Sequence, residues 1–260
     1  MKVDPTHTKM LRLQYMRQLT KLFKVFRRHA IKDVLLLIDL YKTKYSLDEG
    51  YKLRRKTLRQ LGVNSRIESY LRWATENYII DPSVDISWDN IKKSYVKGVN
   101  DTSRVLKGHP QFSIDNNITP SDWEAMMELR DINTNLIKGS TDAMIHNIQY
   151  STTQGILNGW GMEKIAREMT KAVDGNNNMG IVRARMIART EVINAYNVAA
   201  KKRYEKAGLS EKEMVWITTY DERTCEICAG YDGMSVDKTG EIPPAHPNCR
   251  CSIAPNPRLK

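Results

Sequence analysis

Hydrophobic residues recur every three or four positions between Leu11 and Tyr41. Drawn as an α-helix at 100° per residue, they share one face: Leu11, Tyr15, Leu19, Leu22, Phe23, Phe26, Ala30, Val34, Leu37 and Tyr41. The opposite face is basic and contains Arg17, Lys21, Lys24, Arg28 and Lys32. This pattern predicts a long amphipathic helix with one apolar face and one positively charged face.

The same periodicity predicts helices over most of the first 210 residues, at about 47–61, 64–80, 87–106, 120–157, 162–173 and 181–207. Asp81-Pro82 is expected to break the chain between the second and third of these, because proline disfavours helical geometry in the residue before it. Thr119-Pro120 is a helix start, since threonine caps and proline suits the first turn. The helix that follows has apolar residues at near-helical spacing: Trp123, Met127, Ile132, Leu136, Met144, Ile145 and Ile148.

The last long helix has a stripe of small and apolar residues that allows close packing: Ile181, Ala184, Ala188, Val192, Ala195 and Ala199. Arg189 and Glu191 flank this stripe. They are either ordinary border charges or a buried polar link that docks the helix on the C-terminal region. Asn194 and Asn197 fall on the polar face and are expected to be solvated.

After Gly208 the composition changes, because Met214–Tyr220 is apolar and β-prone and includes Trp216. Residues 251–254 could pair with it as a small sheet. The expected fold is mainly α, that is α+β with long helices and a small C-terminal β module. We predict a basic helical region at 1–110, a second helical region at 111–210 and a Cys/His module at 211–260.

All four cysteines lie in this module, in the order C-x2-C, a 17-residue gap, then H-x2-C-x-C. Two short ligand pairs separated by a loop are typical of a tetrahedral zinc site. The candidates are Cys225, Cys228, His246, Cys249 and Cys251, four of which would bind Zn²⁺ in a closed, structural site.

Spacing leaves two sets of four open. Cys225, Cys228 and Cys249 belong to both, and either His246 or Cys251 completes the set. If a strand begins near Cys249, then Cys249 and Cys251 point to the same side, because the side-chain period of a strand is two. The alternative to a metal is one or two disulfides.

The positive charge is concentrated at the N-terminal end. Residues 1–72 contain 18 lysines and arginines against 6 acidic residues, whereas the whole chain has 41 against 30. This asymmetry predicts an acidic partner, either nucleic acid or an acidic protein surface, through the basic face of the first helix. The simpler interpretation is a solvated face opposite a core-facing stripe. Binding of this helix to a membrane surface is the less favoured alternative. No segment of the sequence reaches transmembrane length.

Catalytic signatures are absent from the sequence. It contains no G-x4-G-K-[ST] or G-x-G-x-x-G phosphate loop and no nucleophile elbow. A ββα-metal nuclease would need a second metal with catalytic histidines, but His246 is the only histidine near the cysteines. A zinc-containing DNA-binding protein remains a further alternative, although the cysteine loop has no obvious recognition helix. The prediction is a protein that is not an enzyme.

The C-terminal part resembles the phage Mu F-like minor head (head morphogenesis) proteins, closely over 188–255 and more loosely back to 119. The matching residues are Ala188-Arg189-Thr190-Glu191 with Asn194 and Asn197, then Trp216, Asp221–Cys228 and Pro243–Cys251. The run from Pro243 to Cys251 is the most specific.

The resemblance implies a minor structural protein of tailed-phage heads. Such a virion protein would be made in the host cytoplasm and lie in a few copies inside the capsid near the portal. Its expected partners are the portal protein, the major capsid protein or scaffold, and packaged double-stranded DNA. Its role would be in head morphogenesis and in DNA packaging or delivery.

Overall fold

Helices account for most of the computed structural model, which describes residues 4–44, 62–109, 111–112, 116–174 and 180–257. The long helices are α1 (Lys9–Lys44), α2 (Val63–Thr75), α3 (Asp81–Leu106), α4 (Pro120–Leu157), α5 (Met162–Asp174) and α6 (Gly180–Lys206). A π-helical segment, Glu76–Ile80, joins α2 to α3. The helix predicted at 47–61 lies outside the described residues. None of the helices in the described ranges is both long and apolar enough to cross a membrane.

The chain after α6 forms a small mixed module. A 3₁₀ turn (Glu211–Glu213) leads into β1 (Met214–Ile217), which is followed by α7 (Glu226–Tyr231), α8 (Val236–Thr239) and β2 (Ser252–Pro255). The strands are antiparallel, with Met214 opposite Pro255 and Ile217 opposite Ser252. The predicted fold class, mainly α with a small C-terminal β module, is confirmed.

Helix α1 has the predicted two faces. Its fully buried residues follow the apolar stripe and include Tyr15, Leu19, Phe23, Phe26, Ala30 and Val34. Arg17, Lys21, Lys24, Arg28 and Lys32 are all exposed. The basic face is therefore solvent-accessible along four turns of the helix.

The expected break at Asp81-Pro82 is wrong. The chain stays helical from Val63 to Leu106, and the Asp81 N–H bonds to the Glu76 carbonyl, five residues back. Pro82 lies in the first turn of α3, where the N–H that proline lacks has the least effect on the helix. Proline therefore interrupts the α-type hydrogen-bond pattern here without ending the helix.

The described chain forms two units, each built from separated segments. The first contains Met1–Met16, Ile86–Asn133 and Met186–Lys260, and the second contains Arg17–Asp85 and Thr134–Arg185. The division into 1–110, 111–210 and 211–260 stays a prediction.

In the first unit, α3 and α6 pack very closely. A Cβ added at Gly98 would lie 2.5 Å from the Tyr196 carbonyl oxygen and 2.9 Å from the Ala199 Cβ. Ala195 and Ala199 are fully buried in the same hydrophobic cluster. The small-residue stripe of α6 thus permits the backbone approach expected from the sequence.

The apolar residues of α4 divide into two groups: Met144, Ile145 and Ile148 are buried, whereas those near the start of the helix are exposed. Trp123, Met127 and Ile132 are 44%, 48% and 43% exposed. The buried position belongs instead to Asp122, which accepts hydrogen bonds from the Tyr95 hydroxyl at 2.7 Å and from Arg203 at 2.8 Å. This ion pair is almost fully buried, so removing either partner would leave an uncompensated charge. It therefore fixes the orientation of the helix and turns Trp123 outward.

We expect Gly98→Ala to destabilise the protein by about 1–3 kcal/mol, because the new methyl group would overlap the α6 backbone. Gly139→Ala is the matched control. Gly139 is an exposed position within α4 whose added Cβ would meet nothing within 4 Å. That change should stabilise by about 0.5–1 kcal/mol. Chemical denaturation would measure both, and equal effects would contradict the close packing of α3 and α6.

Candidate metal centre

The candidate ligands come from two segments of the C-terminal module. Cys225 is the N-cap of α7, and its sulfur accepts a hydrogen bond from the Cys228 N–H at 3.4 Å. His246, Cys249 and Cys251 lie in the segment that leads into β2. The turn that begins α7 and the segment that leads into β2 together bring all five side chains into one region.

The ligand atoms are close together. The His246 Nε2 atom lies 3.2 Å from the Cys225 Sγ and 3.1 Å from the Cys228 Sγ. The Cys228 and Cys249 sulfurs are 3.8 Å apart. Two groups of three have mutual distances within 4.8 Å, namely Cys225–Cys228–His246 and Cys228–Cys249–Cys251. Cys228 is the member common to both.

These distances fit a tetrahedral ion. Bonds of about 2.3 Å to sulfur and about 2.0 Å to nitrogen would separate two sulfurs by about 3.8 Å and a sulfur from a nitrogen by about 3.5 Å. The sulfur–sulfur distance agrees, and the two sulfur–nitrogen distances are slightly shorter. The surrounding void is about 20 Å³, which is room for one small species. All four cysteines are free thiols in this structure.

The protonation of the thiols also favours a bound cation. Burial and the neighbouring Cys249 raise the pKa of Cys228 to about 12. The hydrogen bond between Cys249 and Cys251 lowers the pKa of Cys249 to about 5 and raises that of Cys251. The hydrogen bond from the Cys228 N–H also lowers the pKa of Cys225. Cys225 and Cys249 therefore favour the thiolate, whereas Cys228 and Cys251 resist ionisation through burial and neighbouring negative charge. A divalent cation would remove this penalty, so metal binding should release protons.

Trp216 lies behind the cluster. Its indole is fully buried and packs with Cys228, Cys249 and Cys251, and the Tyr231 ring meets it edge-on at 5.0 Å. The ligands are thereby shielded from solvent on this side.

Helix α6 is tied to the module by polar contacts. Asn197 donates to the Cys251 carbonyl at 3.1 Å and accepts from the Ser252 hydroxyl at 3.1 Å. The Asn248 N–H donates to the Thr190 hydroxyl at 3.0 Å. The expectation that Asn197 is solvated is wrong, because the chain entering β2 covers that face of α6 and buries Asn197 fully. Asn194 is half-buried and donates to Glu191 at 3.2 Å.

The two flanking charges of α6 have different environments. Glu191 is 6% exposed, and burial raises its pKa despite the hydrogen bond from Asn194. Arg189 is half-buried. Whether either residue contributes to docking stays a prediction.

Sequence reasoning missed the ion pair between Arg250 and Asp221. The two guanidinium nitrogens donate at 2.7 and 2.5 Å to the two carboxylate oxygens, which holds the pKa of Asp221 well below its usual range. The pair links the segment before Cys225 to the segment around Cys249. The sequence offered two signals for this ion pair. Arg250 lies between two candidate ligands, and Asp221 lies four residues before the first candidate ligand.

We expect Cys228→Ser to abolish metal binding, because Cys228 belongs to both candidate groups. His246→Ala should also lose the metal, since its imidazole lies against two cysteine sulfurs. Cys251→Ser is the matched control and should retain it. The number of metal ions bound per chain, measured by mass spectrometry for each variant, would distinguish the two ligand sets. Loss in Cys251→Ser with retention in His246→Ala would instead favour the all-thiolate set.

Comparison with known proteins agrees with the resemblance seen in the sequence. Residues 146–254 match the model of a family described as Phage Mu protein F like protein. No curated protein and no solved structure matches the chain. The matched residues extend from within α4 to β2 and include all five candidate ligands and the contacts between α6 and the module. Residues 146–254 are thus similar to the phage Mu protein F-like family.

Proposed function

We propose that this chain is a minor structural protein of a tailed-phage head, not an enzyme, and that it acts in head morphogenesis. The family match supports this proposal, because it covers the module with the candidate metal centre. The protein would lie in a few copies inside the capsid near the portal. It would contact the portal protein and either the major capsid protein or the scaffold.

The metal in this proposal is zinc in a structural role. Three thiolates and one imidazole form a closed set with no position left for substrate, which is typical of structural zinc. The contacts of His246 with Cys225 and Cys228, and of Cys228 with Cys249, support Cys225, Cys228, His246 and Cys249 as this set. Cys251 also lies within 4.8 Å of Cys228 and Cys249 and would be the fifth, non-ligating residue. Zinc bound by these four residues would join the turn that begins α7 to the segment that leads into β2.

The basic face of α1 is the proposed contact with packaged double-stranded DNA or with acidic portal and capsid surfaces. Five cations are exposed on one side of a single helix, a distribution that attracts phosphate without reading sequence. Such a contact would suit a role in genome packaging or delivery.

A ββα-metal nuclease has less support. In the described part of the chain, both groups of three potential metal ligands belong to the one Cys/His cluster. A nuclease would need a separate catalytic metal with an open coordination position. A zinc-containing DNA-binding protein stays the second candidate, since the exposed basic face would serve it equally well.

The proposal predicts that the wild-type chain is found in purified heads and that Cys228→Ser is not. Complementing a phage that lacks the gene with each variant, followed by quantitative mass spectrometry of heads, would measure incorporation. Cys251→Ser should enter heads normally and controls for the loss of a thiol. Absence of the wild-type chain from heads would contradict the proposed function. Normal incorporation of metal-free Cys228→Ser would contradict the role of the metal.

We expect glutamine at Arg17, Lys21, Lys24 and Arg28 to weaken duplex DNA binding and flatten its salt dependence. Each lost phosphate contact should lower the slope of log affinity against log salt by about 0.9. The control variant has glutamine at four exposed lysines outside α1, so its net charge changes by the same amount. These are Lys107, Lys138, Lys212 and Lys238. An equal loss of DNA affinity in both variants, or no loss in either, would argue against a DNA contact on α1.

A further inference from the structure

Four aromatic rings form a cluster in the second unit, and we refer to His29, Tyr70, Trp73 and Tyr78 as the aromatic cluster. The His29 and Tyr78 rings stack with centroids 4.6 Å apart and an interplanar angle of 11°. Trp73 meets Tyr78 edge-on at 5.9 Å and Tyr70 at 6.0 Å. The rings support one another and hold the Trp73 indole in place.

Trp73 is the most exposed of the chain's five tryptophans, at 54%. Exposing a large indole forgoes the free energy gained by burying it, so an indole held at the surface by neighbouring rings suggests a binding role.

The backbone beneath the cluster is unusual. Tyr78 belongs to the π-helical segment Glu76–Ile80, which places it against His29 of α1. Short π-helical segments within α-helices are rare and occur frequently at functional sites. This observation is independent of the exposure of Trp73.

Positive charge lies beside the cluster on α1. Lys32 follows His29 by three positions and is therefore its neighbour on the surface of α1. The exposed Arg28 lies in the same turn of the helix, one position before His29 and four before Lys32. The nearby Asp33 carboxylate accepts a hydrogen bond from the Tyr70 hydroxyl at 2.5 Å. Glu76 is exposed in the π segment, so a phosphate chain is expected to follow α1.

We propose that the aromatic cluster and the neighbouring part of the basic face bind single-stranded nucleic acid. An unpaired base would stack on Trp73 while the adjacent phosphates contact Arg28 and Lys32. This inference rests on the proposed nucleic-acid contact of the basic face and makes it more specific.

Bases are favoured over the two competing partners for physical reasons. In a duplex the faces of the bases are already stacked, so an indole can reach only unpaired bases or ends. Carboxylates of an acidic protein would be repelled by the negative face of an aromatic ring. An exposed indole beside cations therefore fits single strands best.

The test compares Trp73→Ala, Trp73→Phe and the control Trp123→Ala, which removes another exposed tryptophan. Binding of the full-length protein to a 20-nucleotide single strand, as DNA and as RNA, would be compared with binding to the matching duplex and to polyglutamate. Trp73→Ala should weaken binding of at least one single strand roughly 5- to 100-fold, the range for loss of one stacked base. Trp73→Phe should retain part of the affinity. Duplex binding and the Trp123→Ala protein should change less than about twofold.

Unchanged single-strand affinity in Trp73→Ala, with circular dichroism showing an intact fold, would overturn the proposal. So would an equal loss on the duplex or on polyglutamate, since either would indicate a general electrostatic surface. If the wild-type protein binds duplex DNA but Trp73→Ala changes nothing, only this inference fails. If the wild-type protein binds neither form of DNA, the proposed DNA contact fails with it.

Discussion

The C-terminal module has little hydrophobic core apart from the cluster that packs it against α6, and a metal held by its ligand cluster would add a constraint. Its strands have four residues each, and its two helices have six and four. The residues packed around Trp216 are chiefly cysteines. In small modules of this kind, metal-binding free energy is folding free energy, because the site does not exist in the unfolded chain. One ion joining Cys228 to His246 would close the long loop between them and fix the pairing of β1 with β2.

Helix α6 is the element on which that module rests. On one side its small residues allow α3 to approach at Gly98, and on another Asn197 bonds to the chain entering β2. Both contacts depend on exact backbone placement, so a disturbance in the module should reach the helix. Loss of the metal would expose Asn197 or leave its buried amide without partners, which costs about 1–3 kcal/mol. The metal is therefore expected to stabilise more than the loop that contains its ligands.

Much of this arrangement could be predicted from the sequence, because the periodicity of hydrophobic residues and the spacing of the ligands indicated it. The buried stripe and the exposed cations of α1, the two paired strands and the grouping of the five ligands were all predictable. Two departures from expectation share a cause, namely a partner distant in sequence. Trp123 faces outward because Arg203 draws Asp122 inside, and Asn197 is buried because residues near Cys251 cover it. At Pro82 a π-type hydrogen bond lets the helix continue, and no local propensity would have indicated that.

A structural zinc ion bound by Cys225, Cys228, His246 and Cys249 would give the C-terminal module its strongest constraint. X-ray absorption at the zinc edge of the purified wild-type protein would detect this ion, because the method reports the identity and the distance of the bound atoms. We expect three sulfur atoms at about 2.3 Å and one nitrogen at about 2.0 Å. Protein that binds no metal and whose cysteines are paired as disulfides would contradict this expectation.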